Sequence, residues 1–413
     1  MSATQPSNRS FDIIVAGGSF AGLAVVRGLL QALGPGLRIA IIDRSRGPAT
    51  SDGRAFAIWA GAKTVLECLG VWEAIAPAAQ VMSSVEISDS ALSDGIRPTR
   101  VTYDAVTPDG KPAAFMVPAR VLSAALYESI KTESSVTWIA PAEADALALT
   151  APAAEITLRG GEIIRAPLCI AADGRHSKLR DAAGIKTVGW AYGQTGIVAT
   201  VAFSAPHHGV AIQHFLPGGP FAILPLKDNR ACITWSANKD EARRVMALDD
   251  AGFLAELDLR VGGRFGNLSL IGRPQSWPLD IVMPRQLIAH RFALIGDAAH
   301  GVHPIAGQGV NLALRDAAAL VETVADAARL GLDLGAGVHL ERYQQWRRFD
   351  SFMSASLYDG LNRIFGIDNS LLRAGRGAAL GLLDRVGGAK SLIIAEAAGV
   401  TGDLPKLARG CPV

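Results

Sequence analysis

The sequence predicts an α/β fold in which a parallel sheet flanked by helices is covered by a mixed or antiparallel sheet and followed by C-terminal helices. A strand–helix–strand pattern over Phe11–Asp43 predicts parallel strands joined by a right-handed crossover. Short, partly alternating apolar runs between residues 81 and 236 predict the second sheet. After Gln308 the apolar residues have helical spacing.

The composition is that of an ordered globular protein. Of the 413 residues, 49% are hydrophobic and 19% are charged, and the formal net charge is +2. This length favours two interlocked domains, and the absence of any block of like charge argues against a nucleic-acid partner. The four cysteines are scattered, which predicts neither a metal site nor disulfides and favours the cytoplasm.

A glycine-rich turn follows the first apolar run and has the sequence Gly17-Gly18-Ser19-Phe20-Ala21-Gly22. A dinucleotide fingerprint has Gly-x-Gly-x-x-Gly here, so Ser19 replaces the middle glycine that lets the backbone approach a pyrophosphate. Alone, this match also fits an ordinary glycine-rich turn. Asp43, about twenty residues beyond Gly22, is placed to accept hydrogen bonds from ribose hydroxyls, and the helix start near Phe20 would face the pyrophosphate.

Two further strands each end in an acidic turn. The run Cys169–Arg180 contains Asp173, and the run Phe292–His300 contains Gly296 and Asp297. The second run continues into His-Pro-Ile-Ala-Gly-Gln-Gly-Val-Asn-Leu-Ala-Leu-Arg-Asp, from His303 to Asp316.

These three motifs, in this order and at these separations, resemble those of the flavoprotein aromatic hydroxylases of the para-hydroxybenzoate hydroxylase fold. Within that group, the chain resembles the ubiquinone-biosynthesis hydroxylases. The Gly296–Asp316 run is the most specific part, and the segments Gly209–Leu226 and Asp359–Leu361, with Trp235 and Phe365, add to it. The resemblance covers nearly the whole chain, and Ser19 is its clearest departure.

The resemblance implies a Rossmann-like FAD-binding domain in three pieces, residues 1–75, 101–185 and 280–330. Residues 76–100 and 186–279 would form the substrate-covering β-sheet domain, and residues 331–413 a C-terminal helical region. The implied cofactor-binding residues are Gly17, Ser19, Phe20, Ala21, Gly22, Asp43, Arg44, Arg54, Arg120, Asp173, Gly296, Asp297, Pro304, Gly307, Gln308, Gly309, Val310 and Asn311.

Particular roles follow from the same resemblance. Asp297 would accept from the ribityl chain or lie near the pyrophosphate, and Gly307–Gly309 would present helix amides to the pyrimidine edge of the flavin. Asp173 would bind flavin and nicotinamide cofactor or simply cap the next helix. His303 is interpreted as a residue that structures its loop, and no catalytic side chain is assigned because the flavin does the chemistry.

The implied reaction is hydroxylation of a phenolic ring. NADH or NADPH would bind transiently and reduce FAD, and molecular oxygen would then form a C4a-hydroperoxyflavin that hydroxylates a polyprenylphenol intermediate of ubiquinone biosynthesis. Tyr192, Gln194, His214, Phe215 and Phe221 are candidates for the substrate cavity, although a core or surface role fits each equally.

Two other functions remain open at this stage: a catabolic hydroxylase of a small phenolic acid, which needs a cation in its pocket, and a non-catalytic flavoprotein scaffold in a biosynthetic complex. A C-terminal helical face could contact a membrane surface, a partner protein or the chain's own core. Peripheral contact with the inner membrane is therefore a hypothesis added to the cytoplasmic location. The residues of this face are Leu371, Leu372, Ala379, Leu382, Leu383 and Val386, with Arg373, Arg376 and Arg385 nearby.

Overall fold

The computed structural model describes residues 8–45, 47–48, 53–92, 94, 97–303, 307–366, 373, 375–377, 381 and 394–413. Its strands are β1 (Asn8–Ser10), β2 (Ile13–Ala16), β3 (Ile39–Ile42), β4 (Ala55–Trp59), β5 (Gln80–Val81), β6 (Ser84–Asp89), β7 (Val101–Asp104), β8 (Ala114–Pro118), β9 (Val136–Ile139), β10 (Ala144–Leu149), β11 (Ala154–Leu158), β12 (Ile163–Ala166), β13 (Leu168–Ala171), β14 (Thr187–Phe203), β15 (Val210–Leu216), β16 (Gly219–Leu226), β17 (Arg230–Asn238), β18 (Leu268–Pro284), β19 (Ile288–Ala289) and β20 (Phe292–Leu294). The helices are α1 (Phe20–Leu33), α2 (Ala60–Cys68), α3 (Trp72–Ile75), α4 (Ala119–Glu128), α5 (Lys178–Ala182), α6 (Lys239–Met246), α7 (Asp250–Val261), α8 (Gly309–Arg329) and α9 (Gly337–Gly366).

A six-stranded sheet in the order β19-β20-β13-β2-β3-β9 organises the cofactor side of the molecule. All its neighbouring pairs are parallel except β19 with β20. Every residue of β2, β3, β13 and β20 is buried, as expected for a parallel sheet covered on both faces. The carboxyl ends of β2, β3, β13 and β20 therefore meet at one edge, where ligands of such sheets bind.

The main hydrophobic core joins this sheet to its neighbours on both sides. It includes buried residues of α1, α4 and α8, together with Ile156 and Ile164 from a four-stranded sheet in the order β1-β12-β11-β10. Helix α8 is buried along nearly its whole length, which anchors its N-terminal end at the strand edge.

A seven-stranded sheet in the order β18-β14-β17-β16-β15-β6-β7 forms the second layer. It is antiparallel except for the parallel pair β15 and β6. One face packs on α6 and α7, and the other packs on a three-stranded sheet of β4, β8 and β5. We call these the outer and inner faces.

The strand pairing corrects the predicted division of the chain in two places. Val101–Asp104 pairs with β6 in the seven-stranded sheet, although the prediction placed it in the FAD-binding domain. Strand β18 runs to Pro284, beyond the predicted boundary at residue 279, because its last residues pair with the start of β14. The domain division itself stays a prediction.

Helix α9 crosses from the cofactor side to the inner face of the seven-stranded sheet, where Phe365 stacks on Phe215 with ring centres 3.9 Å apart. Arg376 donates to Asp89 over 2.8 Å at the same end of the sheet. No helix in the described part of the chain combines the length and apolarity needed to cross a bilayer. Most of the predicted C-terminal face, Leu371, Leu372, Ala379, Leu382, Leu383, Val386 and Arg385, lies outside the described residues.

Candidate active site

The turn between β2 and α1 is built around two glycines with no room for a side chain. Gly17 has φ of 113°, and a Cβ there would lie 2.2 Å from the Ala172 carbonyl oxygen. A Cβ on Gly22 would lie 2.0 Å from the Gly17 carbonyl oxygen. The start of helix α1 therefore packs directly on the strand ends. Its first-turn amides have no intrahelical acceptors and face the edge of the sheet.

Asp43, at the end of β3, holds this turn in place. Its Oδ2 accepts a hydrogen bond of 2.6 Å from the Gly18 amide, and its Oδ1 accepts from the amide and hydroxyl of Ser45. The sequence did not indicate this backbone role. Binding of a ribose by Asp43 stays a prediction, as does a contact from the exposed Arg44.

Asp173 follows β13 at the next strand end. Its Oδ2 accepts from the Leu179 amide at 3.4 Å, whereas its buried Oδ1 has no hydrogen-bond partner among the described residues. Burial raises the pKa of this carboxyl. Ser177 is the N-cap of α5 and its hydroxyl accepts from the Arg180 amide, while Asp173 Oδ2 accepts from a second first-turn amide of the same helix. Both the capping role and the cofactor role of Asp173 stay predictions.

The third acidic turn lies over the start of α8. Gly296 has φ of 60°, and a Cβ there would come within 3.0 Å of the Ala21 Cβ, so the turn packs on α1. The Asp297 side chain is exposed and has no ion pair or hydrogen bond to the described part of the chain. A Cβ on Gly309 would lie 3.9 Å from the Asp297 Oδ1, which places the carboxylate beside the first residue of α8.

Gln308 immediately precedes α8 and is buried. Its Nε2 donates to the Ala397 carbonyl at 3.3 Å, and its Oε1 has no partner in the described ranges. Gly307 has φ of 61° and packs against Ala57. Two glycines therefore flank Gln308 at the start of α8, and its amide oxygen has no partner among the described residues.

The side chains of two predicted cofactor residues of this segment make structural contacts, and their cofactor contacts stay predictions. Asn311 donates from Nδ2 to the Ala57 carbonyl at 2.8 Å and accepts from the Trp59 amide at 2.9 Å, which ties β4 to α8. Val310 is buried in the main core. Their side chains are thus engaged in packing, whereas Pro304 lies outside the described residues.

Arg54 and Arg120, like Arg44, are predicted cofactor-binding arginines that lie at the surface. The Arg54 guanidinium carbon is 5.7 Å from the centre of the Phe56 ring, which in turn lies edge-to-face with Phe20 at 5.3 Å. Arg120 is exposed in the first turn of α4. Their contacts with FAD stay predictions.

Three of the five predicted substrate residues lie near one another on the cofactor side of β14 and β15. Tyr192 falls in an irregular stretch of the β14–β18 pairing and lies edge-to-face with His303, with ring centres 5.1 Å apart. Gln194 donates to the Gly218 carbonyl at 2.9 Å and accepts from Asn362 of α9 at 3.2 Å. Phe215 stacks on Phe365, so α9 closes this region.

His214 and Phe221 lie on the outer face instead. Phe221 belongs to the core that α6 and α7 cover, and the His214 ring stacks on it with centres 6.4 Å apart. Side chains alternate between the two faces of a strand, so His214 and the neighbouring Phe215 point in opposite directions. This placement corrects the expectation that His214 and Phe221 line the substrate cavity.

The sequence did not predict two sets of side chains near the site. Asp359 and Asn362 of α9 face Tyr192 and Gln194, and their separation of three residues, which puts them on one helix face, was the available signal. A buried ionic network joins His300, Asp316, Arg347 and Asp350. Nothing in the sequence indicated this network, because its members come from distant segments.

The residues present fit an FAD molecule. Acceptor oxygens of Asp173, Asp297 and Gln308 that have no partner among the described residues suit ribityl hydroxyls and ring N–H groups. Two helix N-termini suit the pyrophosphate and the electron-rich pyrimidine edge. Glycines at positions 17 and 309 leave space for close approach. The fold and this site together define an FAD-binding protein.

Comparisons with known proteins agree with that class. The family model described as FAD binding domain matches residues 10–347. Ubiquinone hydroxylase UbiL of Rhodospirillum rubrum is 35% identical over 423 residues, which covers 100% of this chain and 96% of the relative. The 3-demethoxyubiquinol 3-hydroxylase of Escherichia coli is 31% identical, with 95% and 100% covered.

Among solved structures, p-nitrophenol 4-monooxygenase PnpA from Pseudomonas putida has a TM-score of 0.77 at 18% identity, covering 95% of this chain and 100% of that one. The Diels-Alderase PyrE3 has a TM-score of 0.72 at 20% identity, with 96% and 82% covered. These likenesses concern the fold alone, since one fold serves different reactions.

The chain therefore belongs to the FAD binding domain family and is an FAD-dependent aromatic monooxygenase. The predicted fold class, the resemblance and the FAD cofactor are confirmed.

Proposed function

We propose that this monooxygenase hydroxylates a polyprenylated phenol of ubiquinone biosynthesis, with molecular oxygen as oxidant and NADH or NADPH as transient reductant. The observation that carries the proposal is a set of buried polar groups near the inner face of the seven-stranded sheet that make no hydrogen bond of ordinary length to the described residues. Tyr192, His303 and Asn362 supply them from three different elements. The printed names of the two relatives, both hydroxylases of ubiquinone-type compounds, support the substrate class.

The chain's own residues would bind and orient the reactants. Asp173 and Asp297 would accept hydrogen bonds from hydroxyls of FAD, and the first amides of α8 would stabilise negative charge on its ring. Bound FAD supplies the reducing electrons that activate oxygen for transfer to the phenol ring. Helix α9 and the inner face of the sheet would exclude water from the reacting ring.

The charges near this region favour a neutral phenol over a small phenolic acid. Arg175 donates to Asp280 and to the Val302 carbonyl, each at 2.8 Å, and Arg363 pairs with Asp359 at 2.9 Å. A substrate carboxylate would have to compete for these paired cations. An aromatic ring with a neutral tail would not.

Product analysis with purified, FAD-loaded protein tests the proposal. A phenol carrying a prenyl tail should give hydroxylated product with a kcat/KM at least about tenfold above that of the same phenol without the tail, because burying the tail favours binding. Equal kcat/KM values for the two phenols would support the alternative in which the substrate is a small phenolic acid. Hydrogen peroxide as the sole oxygen product with every phenol would favour the scaffold hypothesis.

We also propose that the solvent-exposed side of α9 contacts an anionic lipid bilayer. Phe349, Phe352, Met353, Leu357 and Ile364 are each more than half exposed, and we call them the α9 apolar face. The acids of this stretch, Asp350 and Asp359, are held in ion pairs, and Arg348 is exposed beside Phe349. Apolar residues with adjacent cations suit a bilayer surface, and the opposite side of the same helix reaches Gln194.

Co-sedimentation with vesicles containing anionic lipid tests this contact. The double variant Phe349→Ser with Phe352→Ser should reduce vesicle binding about tenfold or more, because two buried aromatic side chains are lost from the bilayer. Leu259→Ser, at an exposed position of α7, is the matched control and should bind like the unaltered chain. Equal vesicle binding by the double variant and the control would contradict a lipid contact. So would a dimer of the unaltered chain that dissociates in the double variant, because the face would then bind a second copy of the chain.

A further inference from the structure

His303 is a fully buried histidine whose ring nitrogens are both unused. Its side chain is 1% exposed, and neither Nδ1 nor Nε2 has a hydrogen-bond partner among the residues that the structure describes. Buried polar side chains in native proteins nearly always have partners, and each exception needs an explanation. A ligand that binds beside the ring would supply the missing partner.

The ring is held in place without the use of its nitrogens. Tyr192 of β14 lies edge-to-face with it at 5.1 Å. Arg175 donates to the Val302 carbonyl, one residue before His303, and is itself fixed by Asp280 of β18. From α9, Asp359 accepts from Arg363 and from the Trp190 indole at 3.2 Å. The orientation of the imidazole is therefore set by packing, which leaves both nitrogens available.

Two other buried polar groups lie in the same region, on β14 and α9. The Tyr192 hydroxyl and the Asn362 Oδ1 are buried, and neither makes a hydrogen bond of ordinary length within the described ranges. The Tyr192 hydroxyl still lies close enough to Asp359 that burial, and then this carboxylate, raise the pKa of the tyrosine. Asn362 is positioned by its bond to Gln194, two residues from Tyr192 on the same strand. A phenol hydroxyl needs one donor and one acceptor, and this cluster provides both.

We propose that His303 is a catalytic residue that binds the ring hydroxyl of the phenolic substrate and accepts its proton as the ring is hydroxylated. This inference rests on the proposed function. The O–H bond of the phenol breaks, an N–H bond forms on the imidazole, and the electron pair stays on the phenol oxygen, which activates the ring carbon that is attacked. The proton returns to the product when its hydroxyl forms again, so His303 is unchanged overall.

Before substrate binds, the surroundings make His303 a weak base, so negative charge that develops on the phenol oxygen has to favour its protonation. Burial, and then the nearby Arg175, lower its pKa to about 4, while Asp359 opposes them. The imidazole is thus neutral near pH 7. Once protonated, it would lie between a phenolate and the Asp359 carboxylate, which stabilises the charged form during the reaction.

A purely loop-structuring role, which the sequence suggested, fits this geometry less well. A histidine that organises a loop does so through hydrogen bonds to backbone groups, and His303 makes none in the described part of the chain. The chain's own example is His207, whose ring bonds the Leu226 carbonyl and the Gly209 amide.

Two substitutions in the full-length, FAD-loaded protein distinguish a proton-accepting role of His303 from a loop-structuring role. His303→Gln keeps a polar side chain but cannot take up a proton, and His303→Ala removes both functions. With a prenylated phenol, His303→Gln should lower kcat for product about a hundredfold or more with little change in KM, because a general base is lost. The variant should still load FAD, and the reducing equivalents that it consumes in the presence of the phenol should appear as hydrogen peroxide in place of hydroxylated product. His290→Ala, at an exposed histidine, is the control.

Several results would overturn the assignment. Unchanged product formation in His303→Gln would exclude a proton acceptor, and loss of FAD from both variants would indicate that His303 only structures its loop. If the unaltered chain made no product, the proposed function would fail instead. In that event, phenol binding followed by flavin absorbance still tests His303, since equal dissociation constants for the unaltered chain and His303→Ala would exclude contact with the phenol.

The stability of the protein in acid gives an independent readout. The lowered pKa means that the unfolded chain takes up a proton at His303 near pH 6.5, whereas the folded chain does so only near pH 4. Stability from the neutral imidazole is therefore present above pH 6.5 and is lost as the pH falls towards 4. His303→Gln should flatten the pH dependence of unfolding in this window. His214, whose pKa is also lowered to about 4, should contribute a slope of the same sign in both proteins.

Discussion

Replacement of Asp316 by Asn should lower the free energy of unfolding by about 3–5 kcal/mol, because it leaves a buried guanidinium short of its counter-charge. Asp316 is completely buried, and its Oδ1 accepts from Arg347 Nε at 2.7 Å. Its Oδ2 contacts His300 and accepts from the Gly296 amide at 3.0 Å. Burial opposes ionisation, but His300 and Arg347 together hold the pKa of Asp316 below its ordinary value.

The same substitution should also weaken FAD binding, because the Gly296 amide orients the turn that carries Asp297. Chemical denaturation at pH 7 and flavin absorbance measure the two effects. Because the pKa of Asp316 is lowered in the folded chain, its carboxylate stabilises the fold above about pH 3.8 and loses this effect in stronger acid. The free energies of unfolding of Asp316→Asn and of the unaltered chain should therefore become more similar below that pH.

Asp326→Asn, on the same helix α8, is the matched control. Asp326 pairs with Arg342 at the surface, where such pairs contribute about 0–1 kcal/mol. A similar loss of stability in Asp316→Asn and Asp326→Asn would mean that the buried network has no special part in the fold.

Replacement of Gly22 by Val should abolish stable FAD binding. The Cβ would lie 2.0 Å from the Gly17 carbonyl oxygen, whereas ordinary contact begins near 3.4 Å, so α1 would have to move away from the strand ends by more than 1 Å. The clash is with backbone and cannot be relieved by a rotamer change. Overpacking of this kind costs about 1–3 kcal/mol or more, and the displaced helix start no longer faces the pyrophosphate.

Gel filtration with absorbance at the flavin band provides the measurement, and circular dichroism tests whether the chain remains folded. Gly36→Val is the control, because a Cβ at Gly36 has no described atom within 4 Å. Retention of bound FAD by folded Gly22→Val protein would show that the cofactor does not depend on this turn.

The substrate side of the site was less accessible to sequence reasoning. Tyr192, Gln194, His214, Phe215 and Phe221 were all reasonable candidates, yet His214 and Phe221 lie on the outer face. An alternating strand has two faces, and the pattern does not say which one meets the cofactor when helices cover the other. The contacts of α9 with Tyr192 and Gln194 arise because α9 crosses to the inner face of the seven-stranded sheet, and no local sequence pattern predicts this crossing.

The sequence by itself determined the parallel sheet, the glycine turn and the acidic strand ends, because backbone geometry at those points permits few residue types and their spacing follows from one local strand–helix unit. Only the tertiary structure decided that Asn311 ties β4 to α8, that Asp316 sits in a buried ionic network, and that neither His303 nitrogen has a partner among the described residues. Burial and hydrogen-bond satisfaction are properties of segments brought together from far apart in the chain, and residue spacing does not contain them.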